Sequence, residues 1–380
     1  MKKVKMKIVF FHNDHLGLSH VDLMSNPSSG TVLAMLNLAR GLSKSGHSIV
    51  VLSKAESKII DNVEYISIDD NEKCLEWYKH NDVDVFISVG HTHSIISKLK
   101  VYKKSLIYHW HHNYLDIKNV ITALKKKDID GVVCVSPHHL SSLYKYGMDF
   151  GMTYIRNALD FDEMSRYKID FEEERNGLAY VGNVSLAKGF LEAIYAYYSY
   201  LQKGGEEKIH VYGSTNLYLN KISDIDLSLF EPEFQLLINN LLNKGMIVFH
   251  GKQPREYLYK ELQKRKLLLC GLNKTGAAET AGMGMIEAQY FGCKVITFNR
   301  GGQKDSVYDK NSIIKVSDDL ALKILQLSSV GNQLEIPQDF FERYSVEKIS
   351  AEWLSLFRGE LKKKKHLEAL LARIDGILCK

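Results

Sequence analysis

The sequence predicts an α/β protein built from two doubly wound, Rossmann-like domains. Three observations lead there: short, continuously apolar runs alternate with segments of helical spacing, the alternation starts twice, and a charged stretch separates the two series. In the first series, residues 7–11, 48–52, 63–68, 84–89, 105–109 and 131–135 read as strands. Residues 31–45 carry Leu33, Leu36, Leu38 and Leu42 at helical spacing. Runs this short and uniformly apolar suit parallel strands covered on both faces. The second series opens at residues 178–181, continues with a helix from Lys188, and has strands at 209–212, 246–249, 267–270 and 295–298. Tyr154-Ile-Arg-Asn-Ala-Leu-Asp160 and the charged run 170–175 lie between the series, giving domains at 1–165 and 166–343. Residues 344–380 follow the second series and read as C-terminal helices. Residues 341–356 have Ser345 as N-cap and Trp353 on the apolar face. Residues 360–380 carry Leu367, Leu370, Leu371, Ile374 and Leu378 at helical spacing, suited to bracing the domains or contacting another copy. Two such domains place a cleft at the C-terminal edges of their sheets.

Composition narrows the class. With 380 residues and ordinary apolar and charged fractions, the chain is long enough for two hydrophobic cores. Cys74, Cys134, Cys270, Cys293 and Cys379 show no paired spacing, and three lie in or beside apolar runs, which points to free thiols in a reducing compartment. No apolar run approaches the length of a membrane span, so a cytoplasmic protein is expected. The net charge of +5 is unevenly placed, with lysines at Lys98, Lys100, Lys103, Lys104, Lys125–Lys127 and Lys362–Lys365. These suit either solvated helix faces or a peripheral contact with anionic headgroups at the inner membrane face. Nucleic acid is not expected as a partner, because no aromatic residues interleave with the lysines.

The stretch richest in chemistry is Glu279-Thr-Ala-Gly-Met-Gly-Met-Ile-Glu287. It reads as a loop carboxylate, a glycine-rich turn and a helix carrying a second carboxylate. Gly282 and Gly284 let the backbone approach a ligand, and the helix start offers unpaired N–H groups to an anion. Carboxylates for hydroxyls and amides for phosphate oxygens suit a sugar joined to a diphosphate. This motif resembles the Glu-x7-Glu signature of retaining, nucleotide-sugar-dependent glycosyltransferases of the GT-B fold, family four.

Other stretches resemble the same family in the same order. Ser29-Gly30 before a helix resembles its opening loop, in which Gly30 would face the donor. Tyr180-Val-Gly-Asn183-Val-Ser-Leu-Ala-Lys188-Gly189 resembles the stretch whose two cations hold the donor diphosphate. Here Lys188 is retained but Asn183 stands where the family has arginine, and asparagine supplies neither charge nor a bidentate fork. Arg300 and Arg156 are the candidate replacements. Phe249-His-Gly251-Lys252-Gln-Pro254 resembles the loop bordering the nucleotide base, with Gly251 and Lys252 as contacts, and Gly301-Gly302-Gln303 resembles a later turn. By resemblance, Glu279 would bind sugar hydroxyls, amides at Gly282, Met283 and Gly284 would hold phosphate, and Glu287 would bind ribose hydroxyls. Arg156-Asn-Ala-Leu-Asp160 lacks the proline and glycine of the family's linker, and Asn157 reads as a turn-former. Residues 344–380 resemble the family's closing helices, which implies that they cross back to the first domain.

His91-Thr-His93 and Ile107-Tyr-His-Trp-His111 resemble paired strand ends of the family, where His111 would lie near the reacting sugar. Alternation puts His91 with His93 and His109 with His111 on common faces. Core histidines and a metal site are the other readings, but the resemblance implies no metal and no cofactor. The resemblance implies transfer of a hexosyl or N-acetylhexosaminyl group from a UDP- or GDP-sugar to a glycan or lipid-linked acceptor. Two rivals stand beside it. A weak, partner-dependent nucleotide-sugar-binding subunit is suggested by Asn183. An NAD-type or epimerising enzyme lacks the expected glycine motif, since Asn13-Asp-His-Leu-Gly17 follows the first strand.

Overall fold

In a computed structural model, the described residues are 5–13, 16–102, 105–149, 151–169, 174–215, 225–276, 278–329, 335–360 and 364–378. Several residues singled out above lie outside them: Asp14, His15, Lys103, Lys104, residues 170–173, Lys362, Lys363 and Cys379. The chain forms two compact units. One combines the chain up to Leu23 with Ser28–Phe161 and Glu342–Leu378, and the other combines Met24–Pro27 with Asp162–Phe341.

Among the described residues, the first unit holds eight strands: β1 (Lys7–Phe11), β2 (Ser48–Ser53), β3 (Lys58–Ile60), β4 (Val63–Ser67), β5 (Val85–Val89), β6 (Leu106–Trp110), β7 (Gly131–Cys134) and β8 (Met152–Tyr154). Their order is β3-β4-β2-β1-β5-β6-β7-β8. All pairs are parallel except β3 with β4. The order reverses between β1 and β5, which is the switch point of a doubly wound sheet. Every residue of β5 is buried, as a strand covered on both faces requires.

Two strands here escape the sequence reading because they are short edges. β3 joins β4 through Asp61 and Asn62, both at positive φ (49° and 61°), a hairpin turn whose Asp-Asn pair was a usable signal. β8 ends at Tyr154, the first residue of the stretch expected between the two series. The following residues form no turn around Asn157. Instead Leu159 bridges Ser345, with Leu159 N–H donating to Tyr344 O at 2.8 Å, so the chain is drawn out beside its own returning segment.

The Gly30–Lys44 helix starts at Ser29, whose hydroxyl accepts from Val32 N–H at 3.2 Å, and packs its leucine face inward. Across it lies the Val346–Phe357 helix, capped by Ser345 and carrying the buried Trp353. Gly41 marks their approach: a Cβ there would stand 2.3 Å from Val346 Cγ1 and 2.4 Å from Ser350 Oγ.

The Lys364–Leu378 helix packs on Pro137–Ser142 within the same unit. Its expected apolar face is not the buried one. Leu367, Leu371 and Ile374 are more than half exposed, while His366 and Ala369 point inward. Polar anchors decide the rotation: His366 bonds Tyr144 at 2.9 Å and Lys365 pairs with Glu352 at 2.9 Å.

The second unit holds six strands: β9 (Leu178–Val181), β10 (Ile209–Tyr212), β11 (Ile247–Gly251), β12 (Leu267–Leu269), β13 (Lys294–Phe298) and β14 (Ile313–Ile314). They run parallel in the order β11-β10-β9-β12-β13-β14. The switch point lies between β9 and β12, so the loops that leave these two strands open side by side. The two-residue β14 escapes the sequence reading for want of length.

Candidate functional site

The loop after β9 begins with Gly182 at φ 144° and Asn183. A Cβ on Gly182 would meet nothing within 4 Å, so this backbone can be approached from outside. Tyr180 lies beneath. Its hydroxyl donates to Asn183 O at 2.8 Å, and burial pushes its pKa up, so it stays a neutral donor. Asn183 Oδ1 is buried without a hydrogen-bond partner among the described residues.

Lys188 does not start a helix. It ends the short 3-10 turn Leu186–Lys188, Gly189 follows in the left-handed region (φ 73°), and the helix is Phe190–Gln202. Glycine is required there because a Cβ would strike Asn273 N at 2.3 Å. The turn directs Lys188 Nζ onto Glu279 Oε1 at 2.6 Å. The two side chains are 40% and 25% exposed, so the pair adds at most about 1 kcal/mol to stability. It is a poised pair that an incoming anion can reorganise at little cost.

The segment after Glu279 turns into the Met283–Tyr290 helix with Gly282 as N-cap. Of the three amides assigned to phosphate, one is already engaged: Gly282 N–H donates to Ser306 Oγ at 3.0 Å. The N–H groups of Met285 and Ile286 both turn back to Gly282 O. Among the described residues, Met283 and Gly284 therefore keep the uncommitted N–H groups of the first turn, and a Cβ at Gly284 would meet open space.

Glu287 lies one turn further and is buried. Its Oε1 accepts from Tyr259 OH at 2.6 Å and Arg255 Nε at 3.1 Å. The Glu287 carboxylate holds Arg255 above the usual arginine range despite burial, and burial with that carboxylate raises Tyr259. Gly251, at φ 70°, ends β11 with open space where a Cβ would be, and burial lowers the adjacent Lys252 ammonium. Neither arginine proposed to replace the missing cation stands unengaged. Arg300 donates to the carbonyls of Asn273 and Gly276, the latter at 2.7 Å. In the other unit, Arg156 lies over the rings of Tyr154 and Tyr344.

In the first unit, Gly30 is the first residue of its helix. The ends of β5, β6 and β7 collect histidines. His109 in β6 and His111 just past its end lie on a common face as alternation predicts, with ring centroids 5.5 Å apart, and His111 stacks on His139 at 4.8 Å. His91 and His93 do not alternate, because Gly90 (φ 68°) ends the strand and the chain enters the Thr92–Ile95 turn. Burial lowers His109 and His139 to about 3 and takes His111 lower still, so all three are neutral. Both ring nitrogens of His109 and of His111 are buried without a partner among the described residues. Among those residues, no group of three or more His, Cys, Asp or Glu side chains is arranged to hold a metal ion.

Sequence reasoning missed the Arg255–Tyr259 clamp on Glu287 and the buried Gln303 beside Glu279. The Arg-x3-Tyr spacing at the start of a helix was a faint signal for the first. No local signal marks the second.

Residues 161–343 match the family described as glycosyl transferases group 1. No curated protein sequence matches the chain. Among solved structures, Anabaena HepE in complex with UDP-glucose is similar with a TM-score of 0.67 and 13% identity, over 93% of this chain and 100% of that one. A glycosyltransferase from Rickettsia africae ESF-5 has a TM-score of 0.64 and 16% identity, over 94% and 99%. Sucrose-phosphate synthase from Thermosynechococcus elongatus has a TM-score of 0.62 and 14% identity, over 93% and 99%. The chain thus has the two-domain GT-B fold of these structures, and its residues 161–343 are similar to the glycosyl transferases group 1.

Proposed function

We propose that the protein is a retaining glycosyltransferase of family four that moves a hexosyl or N-acetylhexosaminyl group from a UDP- or GDP-sugar to a hydroxyl of a glycan or lipid-linked acceptor, without metal. The observation that carries this is the half-exposed Lys188–Glu279 pair beside two uncommitted amides at the start of the Met283–Tyr290 helix. A diphosphate carries more charge than one carboxylate and draws Lys188 Nζ to itself, which frees Glu279 for sugar hydroxyls. The amides of Met283 and Gly284 take phosphate oxygens at the positive end of the helix. Gly251 and Lys252 border the base, Glu287 takes ribose hydroxyls from its clamped position, and Gly182-Asn183 and Gly30 complete the donor contacts. His111, held neutral, offers one donor and one acceptor to a sugar hydroxyl.

Transfer needs no enzyme nucleophile. The bond from the anomeric carbon to phosphate oxygen breaks as the acceptor oxygen bonds to the same face. The acceptor proton passes to the departing phosphate oxygen, while Lys188 and the helix start stabilise the charge formed there. Building cell-envelope polysaccharide or lipopolysaccharide suits such an enzyme. Exposed Val101, Tyr102 and Met148, with Lys98, Lys125 and Lys126, support peripheral contact with anionic headgroups on the cytoplasmic side. The orphaned Oδ1 of Asn183 favours a second reading, a binding subunit that transfers only with a partner.

The test is to incubate the purified protein with each nucleotide sugar and a mixed acceptor pool, with and without EDTA. Transfer that survives EDTA, with the product anomer matching the donor, supports the proposal. An inverted anomer defeats retention, and donor binding without transfer favours the subunit reading.

A further inference from the structure

Gln303 is fully buried, and its amide makes three hydrogen bonds, every one to main chain. Its Oε1 accepts from Glu279 N–H at 3.2 Å, and its Nε2 donates to Gly271 O at 2.7 Å and Phe298 O at 2.9 Å. The preceding residue adds a fourth tie, Gly302 N–H to Glu279 O at 2.9 Å. Both main-chain polar groups of Glu279 are therefore held by the Gly302-Gln303 step.

The same amide reaches the other half of the ion pair. Gly271, at φ 65°, must be glycine because a Cβ would lie 2.8 Å from Gln303 Cδ and Oε1. The next two residues, Leu272 and Asn273, form the surface against which Gly189 packs without room for a Cβ. Lys188 precedes that glycine and meets Glu279 at 2.6 Å. The contacts close into a circuit: Gln303 to Glu279, Glu279 to Lys188, Lys188 through Gly189 to the 271–273 loop, and that loop back to Gln303.

We propose that Gln303 is a positioning residue that sets where Glu279 stands relative to Lys188, acting through the main chain of both loops. The inference rests on the donor site proposed above. The chemistry asks for a primary amide, since the site needs one acceptor and two donors from a single uncharged side chain. Methionine supplies no donor and only a weak acceptor, and glutamate keeps the acceptor but buries a charge against two carbonyls.

The experiment compares Gln303→Met and Gln303→Glu with the wild type. Native-state hydrogen exchange of the segment around Glu279 is read first, since it needs no substrate. In Gln303→Met, protection of the Glu279 amide falls about tenfold, while β9 and β12 keep theirs. Gln303→Glu keeps that amide protected. Unchanged protection in Gln303→Met overturns the proposal. Transfer kinetics are then measured in a cycle with Glu279→Gln. Gln303→Met lowers kcat by up to about 100-fold in the wild-type background, and by less than about threefold once Glu279 is replaced. Equal losses in both backgrounds overturn positioning in favour of general destabilisation. A wild type that neither binds nor turns over any nucleotide sugar defeats the donor-site reading, while the exchange result still decides the role of Gln303.

Discussion

The two sheets end in opposite kinds of polar chemistry. Where β6 and β7 end, the first unit gathers imidazoles that are buried, neutral and in part without partners. Where β9 and β12 end, the second unit gathers full charges, each matched: Lys188 with Glu279, Arg255 with Glu287. The difference teaches which end can change state. Charging the histidine group means putting protons on rings that the protein has already desolvated, which burial opposes. The Lys188–Glu279 pair meets no such penalty, because it is partly exposed and can exchange one anion for another.

The comparison breaks most directly at Glu279. Glu279→Gln keeps size and hydrogen bonding but loses charge, and turnover is expected to fall about 100-fold or more. Unfolding should shift by less than about 1 kcal/mol, because the pair is partly exposed. Near-normal transfer by this variant removes Glu279 from the account. Next in size is Lys188→Ala, which takes a charge-assisted bond from the diphosphate. Donor affinity should weaken by about tenfold to a hundredfold, read by calorimetric titration.

Stability of the first unit comes next. Gly41→Ala forces a methyl group into the Val346 contact and should cost about 1–3 kcal/mol, read by denaturant unfolding, with donor binding by the second unit retained.

How much of this was legible in the sequence follows the same division. Both sheets were, because runs such as Val85–Val89 and Leu178–Val181 are too short and too apolar to sit anywhere but in a covered parallel sheet. Edge strands of two or three residues were not, since pairing partners and not composition make them strands. The glycine-rich turn before Glu287 was legible locally as a loop leading into a helix. Gln303 was not, because its partners at Gly271 and Glu279 lie 32 and 24 residues away. The rotation of the tail was not legible for a related reason: leucine spacing marks an apolar face but not what covers it, and the polar anchors His366 and Lys365 set which side of the helix is buried.

A smaller effect separates the two ends by pH. His109 and His139 have folded pKa values near 3 against 6.5 unfolded, so between these values the unfolded chain binds protons that the folded chain refuses. Stability is therefore fully present above about pH 6.5 and is lost progressively as pH falls toward 3. Each such histidine steepens that loss by about 1.4 kcal/mol per pH unit. His109→Leu should flatten the slope by about one proton, and an unchanged slope would show that His109 is not held neutral. The smallest expected effect is on the clamp. Tyr259→Phe removes one bond to Glu287 and should raise the donor KM about fivefold with kcat unchanged.

The central claim is that the charged end of the second unit is the donor site. The most direct measurement is calorimetric titration of UDP- and GDP-sugars into the wild type and into Lys188→Ala, each with and without EDTA. One nucleotide class is expected to bind the wild type, undiminished by EDTA and at least about tenfold weaker in Lys188→Ala. Equal binding by both proteins, or binding abolished by the chelator, would contradict it.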